Sequence, residues 1–129
     1  MTTIQYQGGQ NTVVNGAGPQ LKGNSAMGLP GGLNPKELIE AAIAMCVSLN
    51  LTALLERDGK LEETTELEIS IASVKPESGE NRIERFEMDI KLPEGIDEAY
   101  GQKLMQMAER ACTIGNTVKH GAEVHAKRV

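Results

Sequence analysis

Residues 34–59 read NPKELIEAAIAMCVSLNLTALLERDG, and this stretch decides the architecture. Asn34 suits a helix N-cap, Pro35 the first helical position, and Glu37 stands three residues after the cap, as a capping box requires. From Leu38 to Leu55 apolar residues fall on every face, including Ile39, Ile43, Met45, Val47, Leu49, Leu51 and Leu54. A helix that is apolar all round is normally buried. Glu56, Arg57 and Asp58 form a polar exit and Gly59 a C-cap. At 1.5 Å of rise per residue the helix is ~35 Å long, about the width of a small domain. The expectation is a central helix over 34–58 that runs through the middle of the fold and is shared between two subunits.

The flanks alternate in the manner of strands. Before the helix, residues 1–30 carry short β-prone pieces at Thr3 to Gln7, Thr12 to Val14 and Gln20 to Lys22, separated by glycines, which predict a small antiparallel meander. Gly28-Leu29-Pro30-Gly31-Gly32 predicts a hinge or turn. It is no phosphate loop, because no apolar strand precedes it and no Gly-Lys-Ser/Thr follows. After the helix, Leu67, Ile69 and Ile71 alternate with glutamate and serine, and Phe86, Met88, Ile90 and Leu92 alternate with Glu87, Asp89 and Lys91. These are half-buried antiparallel strands joined by a turn at Pro76 to Gly79. Asp97 caps an amphipathic helix through Glu98 to Ala111, and a short segment from Asn116 to His120 stops at Gly121. A final strand is expected at Glu123 to Arg128. The pattern is α+β in a single domain of 129 residues, with 64–129 forming a ββααβ part.

Composition narrows the function. A net charge of -5 with no basic cluster and no interleaved aromatics argues against nucleic acid. No basic and apolar leader opens the chain and no apolar run approaches the ~20 residues of a membrane span, so a cytoplasmic protein is expected. Aromatic residues make up 2% of the chain, so the core is aliphatic and a subunit interface would have to add burial.

Chemistry is confined to two cysteines, Cys46 within the central helix and Cys112 at the end of the second helical pattern. In a reducing compartment such residues serve as buried hydrophobes or as redox thiols more often than as a structural disulfide. Cys112, His120 and His125 match no standard zinc spacing, so no metal is expected; His125 reads as a surface residue. Arg110 beside Cys112 reads as a solvated helix-face residue that could alternatively polarise the thiol. The acidic run Glu62, Glu63, Glu66 and Glu68 reads as a solvated strand entry.

The opening Asn-Pro-x-Glu-Leu, a cysteine twelve residues after that asparagine, and a second cysteine 66 further on in ACTIGNTVKHGAEV resemble the OsmC/Ohr family of osmotically inducible and organic hydroperoxide resistance proteins. The resemblance covers about Gly31 to Val124. It implies an OsmC-like fold, with antiparallel sheets wrapped around the long helix in an intertwined homodimer. It also implies a thiol peroxidase site that needs no metal or flavin, with Cys46 peroxidatic, Cys112 resolving, and an external dithiol as reductant. Apolar walls from Ile43, Met45 and Val47 would suit organic hydroperoxides. The alternative is a non-enzymatic module of the same fold that holds a small apolar ligand at the interface. The family places an activating arginine in the N-terminal sheet and a glutamate ten residues before the first cysteine. Here the first arginine is Arg57 and the corresponding position is Lys36; Glu37 would point ~180° away from Cys46, and Lys22 and Lys36 are the available cations. Cys46 is mid-helix and gains little from the dipole; with the arginine missing, slow oxidation and a thiol pKa nearer the free value than in the well-studied relatives are expected.

Overall fold

A computed structural model describes residues 1–24 and 31–129, so the Gly28 to Pro30 part of the expected turn lies outside the described residues. The elements are β1 (Thr3–Gln7), β2 (Gln10–Asn15), β3 (Gly18–Gly23), α1 (Pro35–Arg57), β4 (Glu68–Val74), β5 (Arg85–Lys91), α2 (Glu98–Ala111) and α3 (Thr113–His120). The chain forms two compact units, Met1–Ile39 and Glu40–Val129, and α1 begins in the first and continues in the second.

In the first unit β1, β2 and β3 form the expected antiparallel meander, with Ile4 opposite Val13 and Tyr6 opposite Asn11. β2 and β3 run longer than their apolar residues suggest, because ladder hydrogen bonds extend into the polar ends. The register slips between Val13 and Val14, where Val14 faces Pro19, a residue with no N–H to give. Gly23 pairs with Leu33 in a single parallel bridge. A Cβ on Gly32 would lie 2.6 Å from the carbonyl oxygen of Lys22, so only glycine admits this approach. Ile4 and Tyr6 are exposed, and no hydrophobic side chain described in this unit is buried. Among the described residues the meander has no buried apolar core. The unit also holds the start of α1, capped as expected: the Glu37 N–H donates to Asn34 Oδ1 at 2.8 Å and the Asn34 N–H to Glu37 Oε1 at 3.2 Å. Asn34→Ala is therefore expected to cost about 1 kcal/mol, measured as a lowered denaturant midpoint.

The second unit contains the core. α1 buries Ile43, Val47, Leu51 and Leu55, one stripe at four-residue steps. Against it lie Leu104 and Ala108 of α2 and Cys112, with Ile69 of β4 and Met88 and Ile90 of β5 packed around them. β4 and β5 pair antiparallel with Ile69 opposite Ile90 and Ile71 opposite Met88, so their half-buried residues share one face. α2 begins where Asp97 accepts the Tyr100 N–H at 2.7 Å. Its register against α1 is fixed at a second point, because the Tyr100 hydroxyl donates to Asp58 at the end of α1 at 2.6 Å. These two contacts bring the end of α2, and with it Cys112, alongside the middle of α1.

Four expectations are corrected. α1 is covered on one face only: among the described residues nothing buries Met45 and Leu49, which are 62% and 65% exposed. It is also long and apolar enough to cross a membrane by length and composition, contrary to the sequence reading, although its buried stripe packs as in a core helix. α3 begins at Thr113, three residues before the expected Asn116. Finally, residues 123–128 form no strand; a strand needs a ladder partner, and Val124 and Val129 are fully exposed with none beside them. His125 is exposed, as expected, and pairs with Glu123 at 2.8 Å.

Candidate active site

Cys46 and Cys112 are both free thiols, and they are brought together. Cys46 is half-buried on α1 beside Val47; Cys112 is 2% exposed and belongs to the core cluster against which Cys46 packs. Cys112 occupies the junction between two helices. It ends α2, its N–H donating to the Glu109 carbonyl, and it is the N-cap of α3, its Sγ accepting the Gly115 N–H at 3.1 Å. Across this junction the first turn of α3 turns its backbone amides toward the sulfurs.

The electrostatics separate the two thiols. Cys46 is held below the ordinary thiol range, chiefly by the backbone N–H of Ile114 and next by the thiol of Cys112; burial opposes the shift and the Thr113 N–H adds to it. Unpaired amides at a helix N-terminus are donors that favour an anion. Cys112 is pushed up, first by burial and also by its hydrogen bond to Cys46 and the negative charge there, with the Gly115 N–H opposing. Cys46 therefore ionises first while Cys112 keeps its proton and donates it. The Asn50 side-chain amide approaches Cys46 Sγ at 4.0 Å from one turn along α1. The donors that reach Cys46 belong to the first turn of α3, not to its own helix. A rate of alkylation measured against pH tests it. Only a thiolate alkylates, so the rate at Cys46 should fall off below the ~8.5 midpoint of a free cysteine, and Cys112 should stay inert until higher pH. Two thiols titrating together at the free value would contradict the assignment.

The other candidates play different parts. Glu37 is engaged in the α1 cap and does not replace the family's glutamate. Arg110 is an exposed residue of α2 and lines a groove of about 540 Å³ with Asn50, Arg57 and Met107. His120 Nδ1 meets the Asn116 carbonyl at 2.9 Å. Lys22 and Lys36 both lie in the Met1–Ile39 unit. The Ile114, Thr113 and Gly115 amides were not legible as site groups, because cysteine is not among the residues that signal an N-cap. A cavity of about 600 Å³ has Cys112 in its wall, together with Ile43, Val47, Ile71, Phe86, Met88 and Met105; Glu84, Arg85, Glu109 and Lys119 also line it.

A helix-borne cysteine packed against a second cysteine at a helix junction agrees with the motifs read from the sequence, and a family model described as OsmC-like protein matches residues 28–127. The chain belongs to the OsmC-like family. Solved structures agree on the fold. The OsmC-like protein of Mycoplasma pneumoniae superimposes with a TM-score of 0.76 at 11% identity, over 92% of this chain and 86% of that one. An organic hydroperoxide resistance protein OsmC from Legionella pneumophila gives a TM-score of 0.58 at 20% identity, over 92% and 89%. The organic hydroperoxide resistance protein OhrB of Bacillus subtilis gives 0.58 at 18%, over 92% and 90%. Comparison with curated proteins finds no match. This OsmC-like chain thus shares its α+β architecture with redox and hydroperoxide resistance proteins.

Proposed function

We propose that this OsmC-like protein is a two-cysteine thiol peroxidase that reduces organic hydroperoxides, with Cys46 as the attacking thiol and Cys112 as the resolving one. The observation that carries this reading is the packing of two free thiols, Cys46 and buried Cys112, at the start of α3, where the α3 amides lower the first and burial raises the second. The Cys46 thiolate attacks the outer oxygen of the hydroperoxide, the O–O bond breaks, and the alkoxide takes up a proton and leaves as an alcohol. Cys46 is then a sulfenic acid. The Cys112 sulfur displaces its hydroxyl, which leaves as water with the Cys112 proton, and a disulfide forms. An external dithiol exchanges through this disulfide and restores both thiols. No metal or flavin has a step in this sequence. A reducing compartment such as the cytoplasm suits the free-thiol resting state. Consumption of an organic hydroperoxide by the purified chain with a dithiol tests the proposal; consumption no faster than with the dithiol alone would refute it.

The cavity of about 600 Å³ supports a second reading, a module that holds a small apolar ligand without turnover. Its mark would be stoichiometric binding of an apolar ligand that survives loss of both thiols.

The protein works as a homodimer in this account. Met45 and Leu49 form an apolar, uncovered side of α1, and the N-terminal meander has no buried apolar core among the described residues; a second copy would cover what one chain leaves open. Sedimentation at micromolar concentration should give a dimer, and Leu49→Glu should weaken it. A stable, well-folded monomer of the parent chain would contradict this.

A further inference from the structure

Cys112 holds two positions at once. Its Sγ caps α3 by accepting the Gly115 N–H at 3.1 Å, and the same sulfur is the one that must bond to Cys46. Gly115 leaves room for the short approach: a Cβ there would lie 3.2 Å from Sγ and 3.5 Å from Cβ of Cys112, so with an alanine the sulfur would have to give by a few tenths of an ångström. Besides this cap, α3 is held by the Asn116 side-chain amide, which donates to the Arg110 carbonyl at 3.1 Å, and by the Ile114 and Thr113 amides at Cys46. None of its eight residues is buried, and Ile114 and Val118 are exposed. Gly115, Val118 and Lys119 nevertheless form one wall of the cavity that reaches Cys112.

We propose that Gly115 is a positioning residue that couples the redox state of the cysteine pair to the capping of α3: with both thiols free the helix is docked, and the disulfide releases it. The inference rests on the peroxidase reading only for the natural oxidant, an organic hydroperoxide. When Cys112 displaces hydroxide from the sulfenic acid of Cys46, its sulfur gives an electron pair to the new S–S bond and its proton leaves in the water formed. In this step the sulfur turns toward Cys46, away from the Gly115 amide. The Gly115 amide then loses its cap. Release of α3 would take down the Gly115 and Val118 wall of the cavity. An external dithiol could then reach a disulfide that the docked helix keeps buried. Reduction would restore the cap and close the wall, so access for the reductant is granted in the oxidised state alone.

Hydrogen exchange of the full-length chain, reduced and as the Cys46–Cys112 disulfide, tests this. The disulfide is made in one arm with one equivalent of an organic hydroperoxide and in a second with diamide, which oxidises thiols without peroxide chemistry. The amides of residues 115–120 should exchange about tenfold faster in the disulfide form, the loss expected of a removed N-cap, with β4 and β5 unchanged. Cys112→Ser keeps a capping hydroxyl, and its α3 amides should exchange at the same rate before and after hydroperoxide. Gly115→Ala should exchange fast in both redox states, so the difference between them collapses; a merely structural glycine would shift both states equally and preserve the difference. A disulfide form whose α3 amides remain as protected as in the reduced chain overturns the coupling and leaves the peroxidase reading intact. If hydroperoxide makes no disulfide the peroxidase reading fails, while the diamide arm still decides the coupling. A chain in which neither oxidant links the two cysteines overturns both.

Discussion

Replacing Cys46 with serine should reduce hydroperoxide consumption to the uncatalysed background, the largest functional effect expected of any single substitution. A serine hydroxyl has no accessible anionic form near neutral pH and cannot store the oxygen as a sulfenic acid, so both halves of the cycle fail together. The fold should survive, since Cys46 is only half-buried and serine is close to it in size. Cys112→Ser separates the two halves. Its single attacking thiol should still consume one equivalent of hydroperoxide, leaving a sulfenic acid on Cys46 that a dimedone-type trap captures, and should then stall. If Cys46→Ser turns over like the parent chain, Cys46 is not the attacking thiol. If Cys112→Ser cycles normally with a dithiol, Cys112 does not resolve.

The second large effect concerns the scaffold that holds the thiols together. Leu51 is fully buried, one turn of α1 past Val47, within the cluster that also contains Leu104, Ala108 and Cys112. Leu51→Asp would bury an unpaired charge, at a cost of several kcal/mol against a total stability of ~5–15 kcal/mol, so the chain should not fold. Leu51→Ala keeps the site apolar and opens a cavity, which costs ~2–5 kcal/mol and should leave a folded protein with a lowered Tm. Far-ultraviolet circular dichroism during thermal melting distinguishes the two. A Leu51→Asp chain that melts like the parent would show that α1 is not the centre of this fold.

How much of this was legible in the sequence follows from what each element depends on. α1 could be read almost to the residue, because its start and stop are local chemistry: the Asn34–Glu37 capping box and the Gly59 exit both form as written. β4, β5 and α2 were readable for the same reason, their alternation and stripe each facing the α1 core. Three features were not. The end of the chain alternates like a strand, but pairing is a property of a partner backbone, and residues 123–128 have none among the described residues. The uncovered side of α1, with Met45 and Leu49, could not be distinguished from its buried side, because an all-round apolar helix carries no sign of which face is covered by its own chain. The start of α3 was placed three residues late because its cap is a sulfur. That last miss mattered most for chemistry. The sequence shows that no arginine precedes Arg57 and so points to a poorly activated thiol, whereas the amides of Ile114 and Thr113, which have no side-chain signature, supply donors to Cys46.

The central claim is that Cys46 and Cys112 act as one redox pair, and peptide mass spectrometry after a single equivalent of organic hydroperoxide tests it most directly. The account predicts a mass lower by two hydrogens, a peptide linking Cys46 to Cys112, and full return of both thiols on addition of a dithiol. Both thiols free after the hydroperoxide, or both oxidised to sulfonic acid with no linked peptide, would contradict it.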